Sequence, residues 1–190
     1  MDEIRVVTRY AAESAEAVLP VFEDARPDDL RPRAAVRAAW TFAGGAARSN
    51  VQRVTALDAH RAAKDTSNAA AQHAAVAAGD AAAAAYLHPL AQATQVGHIL
   101  RAAAHAARAS ELRAGGDPDV GAASIRLARD RAVPTLVEVL RRYPVAPAGR
   151  GRVAQLMQTL DTSLRQYPID SGTLSGQRSA AGRAAEPPVS

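Results

Sequence analysis

All five histidines of this chain lie between residues 60 and 105, and histidine is the side chain best suited to acid–base or metal chemistry near neutral pH. His98 and His105 are seven residues apart, so a helix places them on one face with Arg101 between them. Two helical turns are too long a spacing for one metal ion. The chain also has no HExxH motif and no cysteine. We therefore predict no metal site and no cofactor.

The stripe formed by His98, Arg101 and His105 has two interpretations. It lies almost opposite the apolar residues of the same predicted helix, which favours a solvated polar face. The alternative is a pocket or a surface that contacts a partner. His60 likewise fits either the edge of the core or such a site.

The stretch DDLRPRAAVRAAW begins at Asp28 and concentrates charge around a proline before the only tryptophan. Pro32 suits the first turn of a helix, because its missing N–H costs nothing there. We expect Asp28 to form an ion pair with Arg31 or Arg33 inside the fold, with an anion-binding site as the alternative. Trp40 either packs against the core or borders a site.

The formal charge of +4 is unevenly distributed along the chain. Residues 1–30 hold eight acidic and three basic side chains, whereas residues 31–64 hold seven basic and one acidic. An acidic N-terminal segment would suit a basic partner. Nucleic-acid binding is not predicted, because aromatic residues make up only 4% of the chain and acidic residues interrupt its basic C-terminal runs.

Catalytic motifs are missing from the sequence. It contains no GxSxG, no phosphate-binding GxxxxGK[ST] and no GxGxxG. We predict no catalytic residue, and a non-enzymatic binding protein is favoured over an unusual helical enzyme.

The composition predicts an all-α fold. Alanine supplies about a quarter of the chain and hydrophobic residues supply 48%, while the aromatic and β-branched residues that favour strands are sparse. We expect a single bundle of six to seven closely packed helices over residues 1–168. Pro20 is expected to bend or restart the first helix, and Pro134 to kink the sixth. Residues 169–190 lack periodicity and are rich in Ser, Gly and Pro, which predicts a disordered tail.

The apolar runs of the sequence are short. None approaches the roughly 20 residues that a membrane-spanning helix needs, and the first residues do not resemble a signal peptide. We therefore expect a soluble cytoplasmic protein that does not contact a membrane.

Three segments, DARPDDLRPRAAVRAAW, ALDAHRAAK and AAVAAGDAAAAAYLHPL, resemble a helical family of bacterial immunity proteins. The family is associated by genome context with toxin systems, and some of its members carry an exonuclease-subunit label. Tyr86 stands where the family pattern has a histidine, with His88 nearby. The matching positions are Asp28, Asp29, Arg31, Pro32, Arg33 and Trp40 in the first segment, Ala59 and His60 in the second, and Ala77, Ala78 and Gly79 in the third.

The resemblance implies a bacterial, cytoplasmic protein that neutralises a toxin by binding it. The contact surface would be a preformed one, either the acidic N-terminal segment or the stripe from His98 to His105. The alternative is a small-molecule site between helices, lined by Trp40, His60, Tyr86, His88 and His98. Occlusion of a protein partner requires the stripe to face solvent, whereas a ligand site requires it to converge with Trp40 or His60. The sequence predicts no oligomeric state.

Overall fold

The computed structural model describes residues 1–168, which form nine α-helices and no β-strand. The all-α prediction is confirmed, and the predicted number of six to seven helices is too low. The predicted tail, residues 169–190, lies outside the described residues. In chain order the helices are α1 (Asp2–Glu16), α2 (Leu19–Ala25), α3 (Arg31–Ala43), α4 (Asn50–Lys64), α5 (Ala69–Ala83), α6 (Val96–Arg113), α7 (Pro118–Asp130), α8 (Pro134–Arg141) and α9 (Arg152–Arg165).

Two prolines account for the additional helices. Pro20 is the second residue of α2, and Pro134 is the first residue of α8. Proline is tolerated at these positions because the first N–H groups of a helix have no partner within it. Val133, directly before Pro134, has the extended backbone that a following proline imposes (φ −89°, ψ 156°). The chain therefore starts a new helix at Pro134, where the sequence predicted a kink.

Helix α5 is the centre of the bundle. It packs against α4 on one side and α6 on the other, and against α1, α2 and α3 beneath. Ten of its fifteen residues are buried, and nine of those ten are alanine or glycine. Such small side chains let the neighbouring helices approach closely. The outer side of α5 is therefore the floor of a surface whose two edges are α4 and α6.

Side-chain caps fix the N-terminal ends of α4 and α5. The Ser49 hydroxyl accepts from the Val51 N–H, and the Gln52 side chain accepts from the Ser49 N–H, as in a capping box. The Asn68 side chain accepts from the Ala71 N–H at the start of α5. These bonds satisfy N–H groups that a helix leaves free.

The core consists mainly of alanine, with a few large side chains between the helices. The largest fully buried apolar side chains include Phe22, Phe42, Ile99, Leu100, Leu136, Leu140, Leu160 and Leu164.

Among the described residues, no helix combines the length and the apolar character needed to cross a membrane.

Candidate functional site

A buried carboxylate lies at the centre of the outer α4–α5–α6 surface. Asp80 on α5 is 1% exposed. Both of its oxygens accept hydrogen bonds from Arg101 on α6, with Nε 2.9 Å from Oδ2 and Nη2 2.7 Å from Oδ1. A buried charge is tolerated only when it is paired and hydrogen-bonded, and this two-point geometry provides both. The Arg101 side chain remains 45% exposed, so the pair is accessible from its arginine side.

His60 covers Asp80 from the α4 side. Its Nε2 lies 3.6 Å from Oδ1 of Asp80, and its side chain is 33% exposed. The ring rests on Gly79, where a β-carbon would lie 2.9 Å from Nε2 and from Cε1 of the ring. Glycine is therefore required for this contact. Burial lowers the pKa of His60, and the nearby Asp80 charge acts in the opposite direction.

His73 on α5 and His105 on α6 form a second pair on the same surface. Their Nδ1 atoms are 2.8 Å apart and their ring centroids 5.0 Å apart. One Nδ1–H donates to the other Nδ1, so at least one of these imidazoles is neutral while the bond is made. Burial lowers the pKa of His73, and it lowers the pKa of His105 to about 4. Both rings are therefore neutral at pH 7.

His98 on α6 is the fourth histidine of the surface. Its Nδ1 is buried and has no hydrogen-bond partner in the described part of the chain. Burial, followed by the positive charge of Arg101, lowers the pKa of His98. We refer to these six side chains as the histidine cluster: His60, His73, Asp80, His98, Arg101 and His105.

The histidine cluster offers partly accessible neutral imidazoles and one exposed guanidinium edge. Both oxygens of its carboxylate accept hydrogen bonds from Arg101. Within residues 1–168, no three His, Cys, Asp or Glu side chains are placed to hold a metal ion. The groups that the histidine cluster presents are hydrogen-bonding imidazoles and a charged guanidinium. In the predicted stripe, His98 and His105 are half-buried, whereas Arg101 is exposed.

The charged residues of DDLRPR join helices to one another. Arg31 binds Asp29 at 2.6 Å and Asp65, after the end of α4, at 2.8 Å. Arg33 binds Glu23 of α2 at 2.6 Å. The acidic partner of Arg31 is thus Asp29, whereas the sequence suggested Asp28. The difference arises because the turn after α2 lets Asp29 accept from both the N–H and the guanidinium of Arg31.

Trp40, Tyr86 and His88 have their contacts in other parts of the fold. The Trp40 indole N–H donates to Glu16 of α1 at 3.2 Å. The Tyr86 hydroxyl donates to the Ser49 carbonyl at 2.8 Å, and two arginine guanidiniums lie over its ring. The His88 carbonyl accepts from the Tyr143 hydroxyl at 2.8 Å. Of the proposed small-molecule lining, these contacts leave only His60 and His98 at the histidine cluster.

Acidic residues of the N-terminal segment are largely paired within the chain. Most of their partners are arginines that belong to other helices, so this segment does not present a free acidic surface. The pairs are Glu3 with Arg142, Glu13 with Arg131, Glu23 with Arg33, Asp24 with Arg113 and Asp29 with Arg31.

Two residues of the histidine cluster were not among the sequence candidates. Asp80 is the only acidic residue in a helix made almost entirely of alanine, and its burial is the feature that organises the cluster. A lone charge in such a helix is the signal that identifies it. His73 became a cluster member only through the packing of α5 on α6.

A family model described as "Imm-5 like putative immunity protein" matches residues 2–132. The chain belongs to this family. The matched residues comprise α1 to α7 and therefore all of the histidine cluster. No curated protein and no solved structure matches the chain.

Segments that carry the family resemblance meet at the histidine cluster. His60, from ALDAHRAAK, rests on Gly79, from AAVAAGDAAAAAYLHPL. Asp80 follows directly in the chain. By contrast, the DDLRPR segment holds α2, α3 and α4 together. The DDLRPR segment therefore joins helices, whereas ALDAHRAAK and AAVAAGDAAAAAYLHPL form part of the outer α4–α5–α6 surface.

Replacing Gly79 with alanine is expected to lower the free energy of unfolding by about 1–3 kcal/mol. The same change in an exposed helix interior ordinarily stabilises by about 1 kcal/mol. Here the new β-carbon would lie 2.9 Å from the His60 ring and 3.0 Å from the Ala56 carbonyl oxygen, and that backbone atom cannot easily move. Urea unfolding measures the difference.

Gly97→Ala is the matched control for this substitution. Gly97 also lies in a helix, but its added β-carbon would meet only the Arg101 guanidinium, at an ordinary 3.6 Å. We expect this variant to be as stable as the natural protein or slightly more stable. Equal effects of the two alanine substitutions would contradict the close packing of His60 on Gly79.

Proposed function

We propose that this protein neutralises a bacterial toxin in the cytoplasm by binding it, and that it catalyses no reaction. The observation that carries this proposal is membership of an immunity-protein family over residues 2–132. A rigid helical bundle suits that role, because a preformed surface can cover a toxin without rearranging.

The outer α4–α5–α6 surface is the contact region we favour. His60 and Arg101 present partly exposed polar groups there. Asp80 holds Arg101, and the His60 ring packs on Gly79. Arg101 in particular has its orientation fixed by two hydrogen bonds, which lowers the entropic cost of using it in an interface. The acidic N-terminal segment is less suitable, since most of its carboxylates are paired with arginines of the same chain.

A small-molecule site, including that of an unusual helical enzyme, is the second candidate function. The observation that favours it is the convergence of His60, His98 and His105 around Asp80. Trp40, Tyr86 and His88 do not belong to that site, because their contacts lie elsewhere. The ligand would therefore be recognised by imidazoles and one guanidinium, which suits a small acid.

Co-expression tests the toxin-binding function. Each gene that neighbours this one on the chromosome is induced in a heterologous bacterial host, with and without this protein. We expect one product to arrest growth, co-expression to restore growth, and the two purified proteins to elute as one complex. An unrelated helical protein of similar size serves as the control for expression load. The proposal is contradicted if this protein restores growth against none of the toxic neighbours.

A further inference from the structure

The outer side of α4 exposes three large apolar side chains in one stripe. Val51 is 55% exposed, Val54 46% and Leu57 51%. Their spacing of three residues keeps them on neighbouring positions of one helix face. The opposite face of α4 is buried and consists mainly of alanine. The bundle therefore packs on the small residues of α4 and leaves its large apolar residues in water, which is typical of an interaction site.

Unpaired cations lie along one edge of this stripe. Arg53 and Lys64 are exposed, and neither has a carboxylate within ion-pair distance among residues 1–168. The Arg53 guanidinium lies over the Tyr86 ring, 5.0 Å from its centroid, which holds it beside the stripe. Asp58 is the only acidic residue of α4, and Arg61 neutralises it at 2.8 Å. We call Val51, Arg53, Val54, Leu57 and Lys64 the α4 face.

The positive charge of the α4 face is not balanced by the rest of the described chain. Most carboxylates of the N-terminal segment are paired with arginines that lie in α3 and α6 or directly after α7 and α8. Asp80, the buried carboxylate of the neighbouring helix α5, is paired with Arg101. A molecule that binds the α4 face is therefore free to pair its own carboxylates with Arg53 and Lys64. That molecule must also cover three apolar side chains, a requirement that a phosphate backbone does not meet.

We propose that the α4 face docks an acidic amphipathic helix of the protein partner. An apolar stripe at helical spacing packs well against the apolar stripe of a second helix, and carboxylates along one edge of that helix would reach Arg53 and Lys64. This inference rests on the proposed function, because it names the surface and the partner chemistry for the same binding event. It replaces a basic partner, which the sequence suggested, with an acidic one.

NMR titration of the whole protein tests the α4 face without the toxin. The probe is a synthetic helical peptide with leucines on one face and glutamates along its edges. We expect shifts of the Val51, Val54 and Leu57 methyl resonances, and about tenfold weaker binding by the variant that combines Arg53→Glu with Lys64→Glu. The control combines Arg126→Glu with Arg150→Glu, two exposed arginines elsewhere, and should bind within about twofold of the natural protein. Circular dichroism verifies that both variants are folded.

Three results of the peptide titration would overturn the inference. They are a peptide that does not bind, a peptide that shifts only resonances away from α4, and equal binding by the two double variants. Tighter α4-dependent binding of anionic phospholipid vesicles or of duplex RNA than of the peptide would also overturn it, since the surface would then serve a different partner class.

The growth assay separates this inference from the proposed function. If the variant with Arg53→Glu and Lys64→Glu protects against the toxin as well as the natural protein does, the α4 face is wrong and the proposed function stands. If the natural protein protects against no neighbouring product, the proposed function fails, and the peptide titration alone decides the α4 face.

Discussion

Replacing Arg101 with methionine is expected to lower the free energy of unfolding by about 3–5 kcal/mol. The substitution leaves the Asp80 carboxylate, which is 1% exposed, without either of its guanidinium hydrogen bonds. His60 does not replace them, because its Nε2 is 3.6 Å from the nearest Asp80 oxygen. Although the Arg101 side chain is 45% exposed, its loss costs more than the pair itself contributes, since the Asp80 carboxylate stays buried without a partner.

Urea unfolding with two further variants tests this expectation. Arg126→Met removes an exposed arginine of α7 and should change the free energy of unfolding by less than about 0.5 kcal/mol. The double variant Asp80→Ala with Arg101→Met removes both charges and should recover more than half of the loss. An Arg101→Met variant as stable as Arg126→Met would show that Asp80 is not held as the structure places it.

Acidification from pH 6.5 towards pH 4 is expected to remove about 3 kcal/mol of stability through His105 alone. Burial lowers the pKa of His105 to about 4 in the folded protein, whereas an unfolded histidine titrates near 6.5. Between these values the unfolded chain binds the proton and the folded chain does not, so stability falls as pH falls. His73 and Arg101 reinforce the lowered pKa, and Asp80 opposes it.

His105→Gln isolates this effect from the titration of carboxylates elsewhere. Unfolding free energies of the natural protein and of the variant are measured in urea at pH 7, 5.5 and 4.5. We expect the natural protein to lose more stability than the variant over this range, by about 2 kcal/mol or more. Parallel curves for the two proteins would show that His105 titrates normally and is not buried against His73.

Much of the helical architecture follows from local sequence, but the number of helices does not. Alanine content and the scarcity of strand-forming residues suffice for the all-α class. A proline in a helical pattern indicates that the helix cannot continue unchanged. It does not indicate whether the helix kinks or ends and a new helix begins. At Pro134 the outcome depends on α8 packing against α9 and against α1, which is distant in sequence. Local rules therefore undercount helices.

The candidate site was only partly predictable, for a related reason. A spacing of seven residues is enough to align His98, Arg101 and His105 on α6. Asp80 and His73 join them only because α5 is rotated so that its outer side faces the gap between α4 and α6. The choice between Asp28 and Asp29 as partner of Arg31 similarly depends on one turn. Helical periodicity contains no information on how one helix is rotated against another.

Cross-saturation NMR on the complex with the neutralised toxin tests the central claim most directly, namely that the partner is bound by the outer α4–α5–α6 surface. Irradiation of the toxin attenuates only those methyl groups of this protein that it contacts. We predict attenuation at Val51, Val54 and Leu57 and none at Leu127 or Val145, which lie elsewhere and are more exposed, at 63% and 65%. Attenuation at Leu127 or Val145 with the α4 methyl groups unaffected would contradict this account.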